Sequence, residues 1–318
     1  MLTIRTRAFV LMLAALIAGS AAARAEDTLK VAIGQRGVFE NAISELGQAQ
    51  GIFAKHGLKL EILYTQGSGE SQQAVISGAV DIGIGVGTLG TFSAFAKGAP
   101  IRVIGATMKG AYEFWYVPAD SAIRSFKDAT GKTVAYSTNG SSTNLMVNAL
   151  AQQNGVRVQP VATGSPVATL TQAMSKQIDV GWSAAPIGID QLNKGQIRII
   201  AHGSDVPAFA GQTVRFVLAN ADALKKNPEV FRRYMAAYRE TLDWMYADPA
   251  AIKAYAAWAK ISEDVARHTR DDFIPKANAD PDVVAGLDEA MADAVNLKFL
   301  VAPLSKEQVK ELILVPFK

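Results

Sequence analysis

The chain has no cysteine. That excludes disulfides, thiolate metal sites, a cysteine nucleophile and a lipid-modified cysteine at a mature N-terminus. Histidine is scarce. His56, His202 and His268 are isolated, and none falls in an H-E-x-x-H or other ligand spacing. There is no G-x-S-x-G elbow, and the many carboxylates show no spacing that argues for a catalytic pair. Catalysis finds little material here, so the expectation is a protein that is not an enzyme and needs no cofactor or metal. Charge of one sign is also lacking. Lys plus Arg number 32 against 29 Asp plus Glu. The excess of three is Arg5, Arg7 and Arg24, all within the first 25 residues, which hold no acid. The remainder is formally neutral, which leaves no bulk electrostatic case for nucleic acid or a membrane surface as partner.

What is present begins with those 25 residues. Arg5 and Arg7 precede an uncharged apolar run, Ala8 to Ala18, and Ala21, Ala23 and Ala25 fit an A-x-A cleavage site. The apolar part is shorter than the roughly 20 residues of a spanning helix. Residues 1–25 therefore read as an export signal cleaved after Ala25, with an uncleaved anchor as the plainer alternative. The rest is long enough to bury a large core and to split into two lobes.

Short apolar runs then alternate with amphipathic stretches. Strands are expected at 29–33, 58–64, 81–86 and 101–106, and helices at 41–56 and 70–77. A second unit starts near Trp115, with strands at 133–136, 156–161, 178–182 and 197–201 and helices at 143–154 and 166–176. After a strand at 213–219, helices dominate. Asn227-Pro228 reads as a cap followed by proline at the first helical position, and Phe231, Tyr234, Met235, Tyr238, Leu242 and Met245 recur at helical spacing as a core stripe. Strand–helix–strand order predicts an α/β fold with largely parallel sheets.

The ordered set of these features resembles the periplasmic solute-binding proteins of nitrate/sulfonate/taurine ABC importers. The segments that carry it are Glu45 to Leu58, Ala74 to Gly83, Ile123 to Val134 and Asn227 to Val230, with Ala129 departing from the leucine usual there. The resemblance implies a type II periplasmic binding protein: two α/β lobes, each a mixed, mostly parallel sheet flanked by helices, joined by two crossover strands. The crossings fall near Phe114–Val117 and Thr213–Val217. Lobe one is then 28–113 plus a mostly helical return, 216–318, and lobe two 114–215. The implied protein is a periplasmic monomer that captures a small organic anion and delivers it to a permease and its ATPase.

Ligands of parallel α/β lobes sit off the carboxyl ends of strands. That rule selects loops containing Gln35, Arg36, Ser68, Thr88, Tyr112, Glu113, Asn139, Ser141 and Ser142. Ser141 and Ser142 follow a glycine-containing turn that feeds a helix, an arrangement that offers free N–H groups to an anion, although an ordinary serine cap reads the same way. Gly67-Ser68-Gly69 is a second amide-rich turn. Trp182 ends a strand, at the position of a family aromatic near the ligand, and a core plug is its plainer role. Tyr112 and Trp115 flank the first crossing as a possible aromatic wall. Arg36 and Arg215 are the cations placed to grip an anionic head, and each also reads as an ordinary surface charge. Glu113 opposes a simple anion and is more simply a structural ion pair. Gly85 to Gly90 fits G-x-G-x-x-G but lacks the acidic residue a dinucleotide site needs after the next strand, so that reading is declined. Two alternatives stay open: an enzyme on the same architecture, similar to the thiamine-pyrimidine precursor synthases, and a ligand sensor for a membrane receptor.

Overall fold

The computed structural model describes residues 26–318; the predicted leader, 1–25, lies outside the described residues. The first strands are β1 (Asp27–Gly34), β2 (Leu58–Thr65), β3 (Ile82–Gly87) and β4 (Ile101–Lys109). Between them lie α1 (Ile43–Ala49), α2 (Ser68–Ile76) and α3 (Thr88–Ala96). Next come β5 (Glu113–Pro118), β6 (Thr133–Tyr136), α4 (Ser142–Asn154), β7 (Gln159–Ala162), α5 (Pro166–Met174), β8 (Gly181–Ala184) and β9 (Ile197–His202). The chain returns through β10 (Thr213–Asn220) to α6 (Pro228–Ala247), α7 (Pro249–Ala259) and α8 (Leu287–Asn296).

Two lobes result, built to one plan. The first sheet has the order β2-β1-β3-β10-β4, with β1 parallel to β2 and β3, and β10 antiparallel to both its neighbours. In the second lobe β6 and β7 are parallel, and β5 is antiparallel to β8 and β9. A parallel bridge between Val134 and Val180 joins the two pieces, with the Ala135 N–H donating to the Val180 carbonyl at 2.9 Å. The combined order, β7-β6-β8-β5-β9, repeats the first. In each lobe the antiparallel fourth strand is the one that has just crossed from the other lobe. The α/β, two-lobe architecture with two crossover strands is therefore as the sequence leads one to expect.

Burial explains the strand pattern. All eight residues of β10 are buried, as for a central strand covered on both faces. Along β1, Ala32 packs to one side of the sheet while Val31 and Ile33 pack to the other. The α6 stripe, Phe231 through Met245, is buried against that second side, and Tyr234 exchanges a 2.8 Å hydrogen bond with Ser44. Two local expectations need correction. The helix expected over 41–56 breaks at Gly51, whose φ of 75° is left-handed, leaving α1 and a separate turn at Ile52–Lys55. Asn227 precedes α6 but makes no side-chain cap; Asp248 does cap α7, accepting from the Ala250 N–H at 2.8 Å. Among the described residues no helix is long and apolar enough to cross a membrane.

Candidate functional site

Topology brings chemistry to one rim. The carboxyl ends of β1, β3, β6 and β8 point into the space between the lobes. Because β5 and β10 run the opposite way, their first residues arrive at that same rim, and these include Glu113 and Arg215. The enclosed cavity has a volume of about 20 Å³. Gln35, Glu40, Asn41, Ser68, Glu113, Ser137, Ser141, Ser142, Thr143, Trp182 and Arg215 line it.

Its charged centre is one guanidinium between two carboxylates. Arg215 is 6% exposed, Glu40 4% and Glu113 2%. Arg215 Nη1 donates to Glu113 Oε1, and to Ser142 Oγ at 3.1 Å. Ser142 Oγ in turn donates to Glu113 Oε1 at 3.0 Å. Arg215 Nε stands 2.9 Å from Glu40 Oε1, a charge contact not aligned as a hydrogen bond. The Tyr112 hydroxyl donates to Glu40 Oε2, and the Arg215 guanidinium lies 4.6 Å from the Tyr112 ring centroid, a cation–π distance. Burial pushes the Glu40 carboxyl up to about 7; Arg215 pulls it down and Glu113 adds to the rise. Burial disfavours the charge on Arg215, but Glu113 and Glu40 outweigh it and its pKa is raised.

The serine turn forms the opposite wall. Ser141 caps α4, its Oγ accepting from the Asn144 N–H at 3.2 Å. The N–H groups of Ser142 and Thr143, in the first helical turn, have no intrahelical acceptor. Ser68 Oγ accepts from the Gly87 N–H at 2.8 Å. Gln35, at a left-handed φ of 62°, reaches Ser137 Oγ across the cleft at 3.5 Å.

Four expected contacts lie elsewhere. Trp115 is fully buried, its indole N–H donating to the Ala135 carbonyl at 2.9 Å, so it packs in the second lobe's core and walls no cavity. Arg36 is about half exposed, near Glu45 at 3.8 Å and over the rings of Tyr64 and Trp258. Asn139 is exposed and accepts from the Tyr136 hydroxyl at 2.6 Å. Thr88 is buried at the start of α3, outside the cavity lining. Tyr112 touches the site only through Glu40 and Arg215. The three histidines stay away too. His56 pairs with Glu240 at 2.8 Å, His268 pairs with Asp272, and His202 ends β9, none of them lining the cavity.

Sequence reasoning missed Glu40 and Asn41, which sit in a short 3₁₀ turn, Phe39–Ala42. The available signal was two polar residues inside the otherwise apolar run Val38 to Ile43. It also missed what the glycines of β3 do. A Cβ on Gly83 would stand 2.8 Å from Val75, so that glycine lets α2 pack tightly on the strand. One on Gly87 would stand 2.5 Å from the Gly140 carbonyl oxygen. Gly87, a glycine of the declined dinucleotide pattern, thus serves close approach between the lobes.

Comparison with known proteins gives the family and the fold. A family model described as NMT1/THI5 like matches residues 42–252. The 4-amino-5-hydroxymethyl-2-methylpyrimidine phosphate synthase THI12 of Saccharomyces cerevisiae is 24% identical over 254 residues, 74% of this chain and 68% of that one. The same-named synthase of Uromyces fabae is 23% identical over 232 residues, 68% of this chain and 65% of that one. Among solved structures, the alkanesulfonate-binding protein SsuA from Xanthomonas axonopodis pv. citri bound to MOPS superposes with a TM-score of 0.75 at 19% identity, covering 91% of this chain and 99% of that one. The periplasmic nitrate-binding protein NrtA from Synechocystis PCC 6803 gives 0.72 at 13%, covering 91% and 86%. The expectation that the chain is not an enzyme is overturned, because the curated relatives carry the name of a synthase. The physical lesson is that missing hydrolase and metal motifs exclude only those chemistries. A buried carboxyl of pKa about 7 needs no motif.

Proposed function

The chain belongs to the NMT1/THI5-like family, and from that premise we propose that it is the solute-binding subunit of an ABC importer. In this reading a leader cleaved after Ala25 sends it to the periplasm. There a monomer encloses a small organic anion, sulfonate- or taurine-like or an aromatic carboxylate, and presents it to a membrane permease and its ATPase. Lobe one is 28–113 with 216–318 and lobe two 114–215, with Glu113 and Arg215 on the crossing strands at the boundary.

One observation carries the reading: groups from both lobes and both crossing strands meet on a single buried cavity. Glu40 and Ser68 come from the first lobe, Ser142 and Trp182 from the second, and Glu113 and Arg215 from the crossings. The amides opening α4 and the Arg215 guanidinium supply positive potential for an anionic head. A volume of about 20 Å³ has room for about one water, so an organic solute enters only as the lobes part about β5 and β10.

The test is a thermal-shift screen of residues 26–318, freed of carried-over ligand, against alkanesulfonates, taurine, aromatic carboxylates, nitrate and pyrimidines. A solute at about 100 times its Kd stabilises by roughly 2.7 kcal/mol. A clear stabiliser among the organic anions supports the reading, and a response confined to uncharged pyrimidines counts against it.

A second reading rests on Glu40. A buried carboxyl of pKa about 7 on the cavity wall can hold or release a proton at neutral pH, and the curated relatives are named as synthases. Mass analysis of a bound solute after incubation separates the two: a chemically altered solute favours the enzyme.

A further inference from the structure

Besides Arg215 Nε, which is already in charge contact with Glu40 at 2.9 Å, four buried polar atoms of the residues lining the cavity have no hydrogen-bond partner: Asn41 Oδ1, Glu113 Oε2, Trp182 Nε1 and Arg215 Nη2. The residues that bear them are all more than nine-tenths buried. Leaving a buried polar group without a partner is costly, more so when it is charged, so these atoms mark what a ligand must satisfy. Two are acceptors and two are donors. A simple anion answers only the donors.

The charges point the same way. Arg215 is one positive charge between two carboxylates, Glu40 and Glu113. With both ionised, the centre carries one uncompensated negative charge out of water, an arrangement that is strongly disfavoured. In the ligand-free protein a proton on Glu40 can remove it. A cation on the ligand removes it equally well.

We infer that the cleft is built for a dipolar solute, whose anionic head takes Trp182 Nε1, Arg215 Nη2 and the α4 amides while a protonated nitrogen docks on Glu113 Oε2 and Asn41 Oδ1. This rests on the anionic-head reading above and adds the second pole. Glu113 becomes the residue that sets specificity, since leaving its free oxygen facing a methyl group wastes a buried acceptor.

The experiment uses matched pairs in which only an ammonium is exchanged for a methyl: taurine against propane-1-sulfonate, β-alanine against butanoate, and 4-(aminomethyl)benzoate against 4-ethylbenzoate. Calorimetric titration of the wild-type chain is expected to show the ammonium member binding at least tenfold more tightly in the pair that binds, and Glu113→Gln is expected to erase that preference. The comparison within a pair is made on wild type, so it stands even if Glu113→Gln does not fold. Equal affinity within a binding pair, or tighter binding of the methyl member, overturns the dipolar cleft and leaves the anionic-head reading intact. Failure of every member of every pair, beside a stabiliser with no anionic group, overturns both.

Discussion

Gly90 and Gly140 meet across the cleft, the amide of Gly90 donating to the carbonyl of Gly140 at 3.0 Å. Neighbouring contacts are similarly close. The Gly69 N–H donates to Thr138 Oγ1 at 3.0 Å, and a Cβ on Gly87 would sit 2.7 Å from Ser141 Cα. The lobes touch backbone to backbone, which only glycine permits.

Gly87→Ala is therefore expected to hold the lobes apart while leaving each lobe folded. Gly87 has φ −65°, an angle any residue adopts, so the new methyl meets the opposite lobe and strains nothing local. Solute affinity should fall at least about tenfold, near 1.4 kcal/mol, with the melting temperature of the ligand-free chain little changed. Titration calorimetry and a melting curve check both; a large loss of melting temperature at full affinity speaks against the contact as a closure surface.

Glu40 gives the fold a pH dependence of defined sign. Its folded value of about 7 lies above the ordinary value of 4.5, so between those values the folded chain holds a proton that the unfolded chain has released. Its contribution to stability is fully present below about 4.5 and lost as pH rises through about 7, amounting to roughly 3 kcal/mol at the upper end. Melting curves from pH 5 to pH 8 should show wild type losing more stability than Glu40→Gln; parallel slopes contradict the buried-carboxyl account.

The two buried tryptophans should separate in function. Trp115→Phe loses the bond to the Ala135 carbonyl and lowers stability by about 1 kcal/mol, with solute binding unchanged. Trp182→Phe loses a donor with no protein partner, so affinity should drop about fivefold or more while stability falls less than in Trp115→Phe. Affinities and melting temperatures of the two variants, compared side by side, decide it; the reverse pattern makes Trp182 the core residue.

The amides of α4 can be removed one at a time. Proline is tolerated at the first helical position, and Ser141 before it already has the extended backbone a following proline requires. Ser142→Pro should fold and bind an organic anion more weakly than Ser142→Ala, which lacks only the hydroxyl. Equal affinities of the two variants by calorimetry mean the Ser142 amide does not touch the anion.

Much of this was legible in the residues. Strand-end loops point to Ser68, Glu113, Ser141 and Ser142 because strand direction decides which ends share a rim, whereas Arg215 stands out only as a cation within the second crossing, Thr213–Val217. What stayed hidden depended on side-chain direction. Trp115 and Glu113 are two residues apart on β5, yet one enters the core and the other the cleft. Arg36 and Gln35 are neighbours, but only Gln35 turns inward, at a left-handed backbone angle. The triad around Arg215 joins residues more than a hundred positions apart in sequence, a pairing that no local periodicity encodes.

The absence of cysteine allows a direct test of enclosure. Leu63 and Val167 are exposed, one in each lobe, and beyond them the loops approach where Gly164 nears Gln66. Leu63→Cys and Val167→Cys together give two unique sites for distance labels. With the tightest organic anion from the screen, the account predicts a label distance that shortens on titration, saturates at one solute per chain and fails to shorten when Gly87→Ala is added. Tight binding with an unchanged distance would place the solute outside the cleft and contradict capture between the lobes.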